Sequence, residues 1–172
     1  MCGNTKQRIA DALRRLMTEK PFDKITVRNL MDATNMKRQS FYYHFKDTRD
    51  VLMWICGQKF ITPLRDSRLE FNDWVIFGMK LLDADRSFYR KAFDAVFAEF
   101  VTEFDDRVMI PRLRAQLYPG MTEPDDNRRF LAEFIAQALT GRMIQFVHSR
   151  RPLDEQRVRE RMRFLLETVQ DR

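Results

Sequence analysis

Cysteine and histidine are scarce in this chain of 172 residues, with two of each. Cys2 and Cys56 stand too far apart for a metal-type spacing, no His pair sits three or four residues apart, and a bridge from the chain terminus to Cys56 has little to favour it. No metal and no cofactor is expected. Glycine is equally thin: Gly3, Gly57, Gly78, Gly120 and Gly141 are isolated, so no loop of the phosphate-cradling kind is present. No apolar run approaches the ~20 residues that span a bilayer. The opening residues MCGNTKQRIADAL lack an apolar stretch followed by a cleavage site, and the expectation is a cytoplasmic protein with no membrane partner. The adjacent pairs Asp105–Asp106 and Asp125–Asp126 point to different sides of a helix or sit at caps, and no nucleophile stands with a base. No catalytic residue is assigned, and the chain is not expected to be an enzyme.

What the chain does have is helical periodicity. With only 5 Gly and 6 Pro and long segments repeating at three and four, it is expected to be all-α, with about nine helices and no sheet. Ile9, Ala12, Leu13, Leu16 and Met17 mark a first helix over Thr5–Lys20. Asp47 is the expected N-cap of a fourth helix carrying Val51, Leu52, Ile55 and Phe60 and ended by Pro63. Arg65–Glu70 reads as loop. Further helices are expected from Asn72 or Asp73 through Leu82 and from Ser87 to Phe104, the latter continuing to Tyr118 with a kink or break at Pro111. Tyr118–Pro124 is punctuated by Gly and Pro as a loop, and two long helices follow.

The densest information lies between Thr26 and Leu52. Thr26 suits an N-cap, and Val27, Leu30 and Met31 fall on one face. Asn35 sits where the chain must turn sharply and tolerates the left-handed conformation. A new helix is then expected near Met36, anchored by Met36, Phe41 and Phe45. Lys37, Arg38, Gln39, Ser40, Tyr42, Tyr43 and His44 remain free to reach phosphates or base edges. A solvated basic face is the bland alternative for such a run. Charge distribution argues otherwise: residues 1–60 hold 12 basic and 6 acidic side chains, and residues 61–172 hold 19 of each, so the whole formal excess of +6 lies in this first part. Binding a polyanion calls for that asymmetry.

The two short helices joined by a turn, the segment Phe41-Tyr42-Tyr43-His44-Phe45, the preceding Thr5–Lys20 helix, the Pro21-Phe22-Asp23 break and Ile25-Thr26-Val27 together resemble the TetR family of bacterial transcriptional regulators. The resemblance covers about the first 55 residues. It implies a helix-turn-helix DNA-binding domain over 1–46 and a helical effector-binding and dimerisation domain over 47–172. It further implies a homodimer on double-stranded DNA carrying an inverted repeat, with repression as the commoner mode. The DNA-contacting set is then Thr26, Arg28, Lys37, Arg38, Gln39, Ser40, Tyr42, Tyr43, His44, Lys46 and Thr48. Two positions depart from the family: Lys37 stands where a small capping Ser or Thr is common, and Thr48 where a Lys often meets a phosphate. Gln39 replaces a frequent Gly or Pro and has the amide that pairs with both edge atoms of adenine.

For the last two helices, core packing and a dimer interface are both open from the residues alone. The resemblance, in which such helices pair as a four-helix bundle, favours an interface of Phe134, Ala138, Met143, Phe146, Met162, Leu165 and Leu166. Aromatics crowd the body: Phe71, Trp74, Phe77, Phe88, Tyr89, Phe93, Phe97, Phe100 and Phe104. Most belong to core, and no effector-binding residue is assigned, although His148, Gln137 or Arg142 have the polarity for one. Ser87-Phe88-Tyr89-Arg90-Lys91-Ala92-Phe93 and Phe41–Asp47 are similar to the family branch that includes dihydroxyacetone-kinase regulators, which implies a partner protein as the alternative to a small-molecule effector. Activation, or an adaptor that offers the basic head to an acidic protein surface, are the competing functions.

Overall fold

Helix α1 spans Cys2–Glu19, and its stripe is turned inward: Ile9 and Leu13 are fully buried and Met17 nearly so. The structure, a computed structural model, describes residues 2–170 and the side chains of 5–169, so the expectation for Cys2 lies outside the described side chains. After a 3-10 turn over Phe22–Lys24 come α2 (Val27–Thr34), α3 (Arg38–Tyr42), α4 (Thr48–Cys56), α5 (Thr62–Asp66), α6 (Phe71–Ala84), α7 (Arg86–Phe104), α8 (Ile110–Leu117), α9 (Asp126–His148) and α10 (Glu155–Gln170). The protein is all-α, with no strand among the described residues.

Two expectations about proline are corrected. Pro63 does not end the fourth helix. A π turn over Gly57–Ile61 precedes it, in which the Thr62 amide donates to the Gly57 carbonyl five residues back. The widened turn lets the chain continue through a residue that lacks an N–H and whose ring collides with a carbonyl of the preceding turn in a regular helix. α4 and α5 thus form one rod. Pro111 follows the same plan: a π turn over Asp105–Met109, closed by the Ile110 amide on the Asp105 carbonyl, joins α7 to α8. The sharp break in α7 lies instead at Val96 (φ −128°, ψ 35°). It lets Phe93 and Phe100, about 10 Å apart along a straight helix, bring their ring centroids to 4.5 Å.

The core is continuous from α1 to α10. Phe60, on the first π turn, is its aromatic hub, with ring centroids at 5.9 Å from Tyr89, 5.8 Å from Phe100 and 5.1 Å from Phe104. The buried Trp74 indole donates to the Leu64 carbonyl at 2.8 Å, which removes the cost of burying its N–H. Gly78 allows α6 to lie close to its neighbours, since a Cβ there would stand 3.3 Å from both Leu64 and Met143. The N-terminal helices are tied to the body by Arg14 with Asp85, by the Lys91 ammonium on the Met17 carbonyl at 2.5 Å, and by Arg49 Nε on Glu99 at 2.9 Å.

Candidate nucleic-acid interface

Thr26 builds the entry to α2. Its hydroxyl accepts from the Asn29 amide at 3.2 Å while the Asn29 side chain accepts from the Thr26 amide at 3.1 Å, a reciprocal cap that satisfies two first-turn donors. Lys20 reinforces it, donating to the same Asn29 oxygen at 2.8 Å. At the other end Asn35 adopts φ 52°, ψ 43°, the left-handed conformation expected of it, and α2 stops there. Arg8 donates to the Thr34 carbonyl at 2.9 Å and so ties the turn to α1.

α3 starts at Arg38, two residues after the expected Met36. Lys37 is its N-cap, in extended conformation and without a side-chain cap bond, because an ammonium has no acceptor to offer the first-turn amides. The helix is fixed from beneath. Phe41 is fully buried and Phe45 is 3 % exposed; their rings lie 6.0 Å apart, and Phe45 meets Trp54 of α4 at 6.0 Å. These anchors leave one surface outward: Lys37, Arg38, Gln39 and Ser40 are all exposed, Tyr42 is 49 % exposed and Tyr43 78 %.

Within that surface Arg38 Nη2 donates to the Tyr42 hydroxyl at 3.1 Å and its guanidinium lies 5.5 Å from the Tyr42 ring. Tyr43 meets the half-buried His44 edge to face at 4.9 Å. Lys46 is exposed, and its amide is held by Asp50 at 2.9 Å, while Asp47 caps α4 by accepting from the Asp50 amide at 2.9 Å. Arg28 stands out from α2, loosely paired with Asp32 at 3.8 Å. Thr48 is half-buried at the first position of α4. The arrangement offers cations, an amide and hydroxyls, the groups that meet phosphates and base edges.

The 45-residue segment 9–53 matches a known family, described as bacterial regulatory proteins, tetR family. Over these residues the chain is similar to the TetR family. The TetR match ends inside α4, just past the turn-helix unit described above. A curated relative, the HTH-type dhaKLM operon transcriptional activator DhaS of Lactococcus lactis subsp. lactis (strain IL1403), is 28% identical over 92 residues. That match takes in 52% of this chain and about half, 49%, of the relative's length. Two solved structures share the fold over nearly the whole chain. The dihydroxyacetone kinase operon activator DhaS matches with TM-score 0.66 and 19% identity, covering 95% of this chain and 94% of that one. A TetR transcriptional regulator from Streptococcus agalactiae 2603V matches with TM-score 0.67 and 23% identity, covering 97% and 94%. The chain thus shares the all-helical fold of these two structures, and over residues 9–53 it is similar to the TetR family.

In the body, the residues expected at an interface are divided. Phe134 is 60 % exposed and Ala138 is exposed; Phe146, Met162 and Leu165 are half-buried. Met143 and Leu166, at 4 % and 8 % exposed, lie in the subunit's own core. Two further exposed rings lie outside that set: Phe130 on α9, 67 % exposed and 6.1 Å from Phe134, and Phe164 on α10, 71 % exposed. Spacing marks Phe130, Phe134, Ala138 and Gly141 as one face of α9. Among the body aromatics Phe97 is exposed and Phe77 half-buried, and the others are buried. Gln137 and Arg142 are exposed, and His148 Nε2 lies 3.6 Å from Asp94. Among the described residues no helix is long and apolar enough to cross a membrane.

Proposed function

We propose that the chain acts as a homodimer that recognises an inverted repeat through the outward edge of α3 and answers to a signal received by the body. The division of labour follows the chain: residues 1–46 read DNA, and residues 47–172 dimerise and respond. The observation that carries the reading is the run Lys37–Ser40, exposed without interruption above a Phe41 that is fully buried, within a head that holds all the excess positive charge. Arg38 and Gln39 are the base readers. Lys37, Ser40, Tyr42, Tyr43, His44, Lys46, Arg28 and the Thr26 and Thr48 hydroxyls serve backbone contacts that set register. The dimer forms on the outer face of α9 with Phe164 of α10, and it carries the two heads to successive major-groove faces ~34 Å apart.

Repression by occupying an operator is the first mode. Activation is the second, favoured by the likeness to the Lactococcus lactis relative, a transcriptional activator; the same likeness supports a partner protein as the signal. Gel retardation on DNA upstream of the chain's own gene, at two salt concentrations, tests the reading, with sequence-selective and salt-sensitive retardation expected. Retardation equal on all sequences would favour the adaptor. A reporter driven by the retarded fragment separates the modes, with expression falling on repression and rising on activation when the protein is supplied.

A further inference from the structure

A cleft of about 490 Å³ lies between α6, α9 and α10, within the size range of small-molecule sites. Its floor is apolar: Met79 of α6, Leu139, Met143 and Phe146 of α9, and Val158 and Met162 of α10. Its rim is cationic, formed by Arg142, Arg151, Arg157 and Arg161, with Asp154 as the single lining carboxylate. Asp154 is already engaged, accepting from the Arg157 amide at 3.0 Å at the start of α10.

The neighbouring acids are committed elsewhere. Asp73 pairs with Arg159 at 2.7 Å and Glu155 with Lys80 at 2.9 Å, which fastens α10 to α6. Among the described residues the guanidinium groups of Arg151, Arg157 and Arg161 have neither an ion pair nor a hydrogen bond. The wall that carries Arg151 is held in place. Arg86 Nη1 donates to the Ser149 carbonyl at 3.1 Å and to the Arg151 carbonyl at 2.8 Å, and the same guanidinium lies 4.1 Å from the Phe146 ring. The floor residues of α9 sit about a third to a half turn around the helix from Phe134, so the cleft is distinct from the exposed phenylalanine face.

Unpaired guanidinium groups gathered around an apolar floor repel one another until an anion joins them, and their planar forks suit carboxylate and phosphate oxygens. We infer that this cleft binds a small amphipathic anion, an apolar chain or ring ended by a carboxylate or phosphate, with the tail on the methionine floor and the head among Arg151, Arg157 and Arg161. A DNA duplex has no use for such a floor, and the cleft's volume suits a small molecule. The inference deepens the proposed function, since it supplies the signal's chemical class; binding itself does not depend on that reading.

Calorimetry on the full chain with octanoate, octyl phosphate and octanol tests it. Both anions are expected to bind at least about ten times more tightly than octanol, the scale of hydrogen bonds to charged groups. The double variant R157A/R161A, whose substitutions lie at exposed positions, is expected to lose at least about tenfold in anion affinity with unchanged helical circular dichroism. V158W, which fills the floor and keeps every charge, is expected to abolish binding. Octanol binding as tightly as octanoate, anion affinity unchanged in R157A/R161A, or a poly-glutamate peptide binding where octanoate does not would each overturn the assignment. Retardation of operator DNA by the ligand-free protein is scored separately. Operator binding without octanoate binding sinks this inference alone, and the reverse sinks only the regulator reading.

Discussion

Gln39 and Lys46 are both exposed, seven residues apart, and their chemistry separates their roles. A Gln amide presents a donor and an acceptor in the spacing of an adenine edge, whereas an ammonium is a point charge indifferent to sequence. Q39A or R38A is therefore expected to relax selectivity at individual base pairs by about 1–3 kcal/mol, and K46A to weaken all sequences alike and lower the salt slope by about one unit. Affinities measured on single-base-pair operator variants over a salt series check this, and equal losses on every sequence for all three would contradict it. Asp105 gives a second prediction. It is 4 % exposed, one oxygen accepts from the Thr140 hydroxyl at 2.5 Å, and the other has no partner. Burial raises its pKa above the ordinary 3.8, against the Thr140 hydrogen bond and with a smaller push from Asp106. The folded state therefore holds the proton more tightly than the unfolded chain. The stability this confers is complete below about pH 4 and is lost as pH rises through the folded value. D105N, which keeps an acceptor for Thr140, is expected to melt above the wild type at pH 7, with the gap closing as pH falls towards 4; a gap independent of pH would contradict the account. The outward residues of α3 were legible in the sequence because Phe41 and Phe45, four apart, fix which side faces in. The burial of Asp105 was not, because its partner Thr140 is 35 residues away.

Element ends are where the sequence spoke most clearly and where it misled. Thr26 with Asn29, and Asn35 with its positive φ, are local chemistry, and local chemistry is written in adjacent residues. Asn35 also offers a quantitative check: at φ 52° a Cβ-bearing residue without a stabilising amide costs about 1–2 kcal/mol, while glycine occupies the region freely. N35A is expected to lower stability by about that amount in chemical denaturation, and N35G to stay within about 0.5 kcal/mol of the wild type. Equal losses for both would show that the Asn35 side chain, and not its backbone, holds the turn. Pro63 and Pro111 misled for a physical reason. A proline forbids a regular helix from continuing unchanged, yet a π turn ahead of it restores the path, and nothing in the adjacent residues announces that turn. The break at Val96 is equally silent in sequence, since it answers to the packing of Phe93, Phe100 and Phe60 across two elements.

At the scale of the whole molecule, composition and periodicity were enough for an all-helical fold. They were not enough to say which side of α9 faces inward, because α9 is apolar on more than one side. Close packing decided it: Gly78 leaves room for Met143 against α6, which turns Phe130, Phe134, Ala138 and Gly141 outward. If that outer face joins two copies, F134D is expected to convert a dimer to a monomer in analytical ultracentrifugation, with unchanged helical content, and to weaken operator binding by the loss of the second head. A monomeric wild type, or an F134D dimer, would contradict the assignment. The central claim, that a twofold pair of α3 edges reads two major-groove faces, is tested most directly by selecting duplexes from a randomised pool at physiological salt and sequencing the bound fraction. The account predicts an enriched inverted repeat with half-sites separated by about one helical turn or a multiple of it, and its disappearance with R38A/Q39A. A pool that stays unenriched, or an enrichment that the double variant leaves intact, would contradict it.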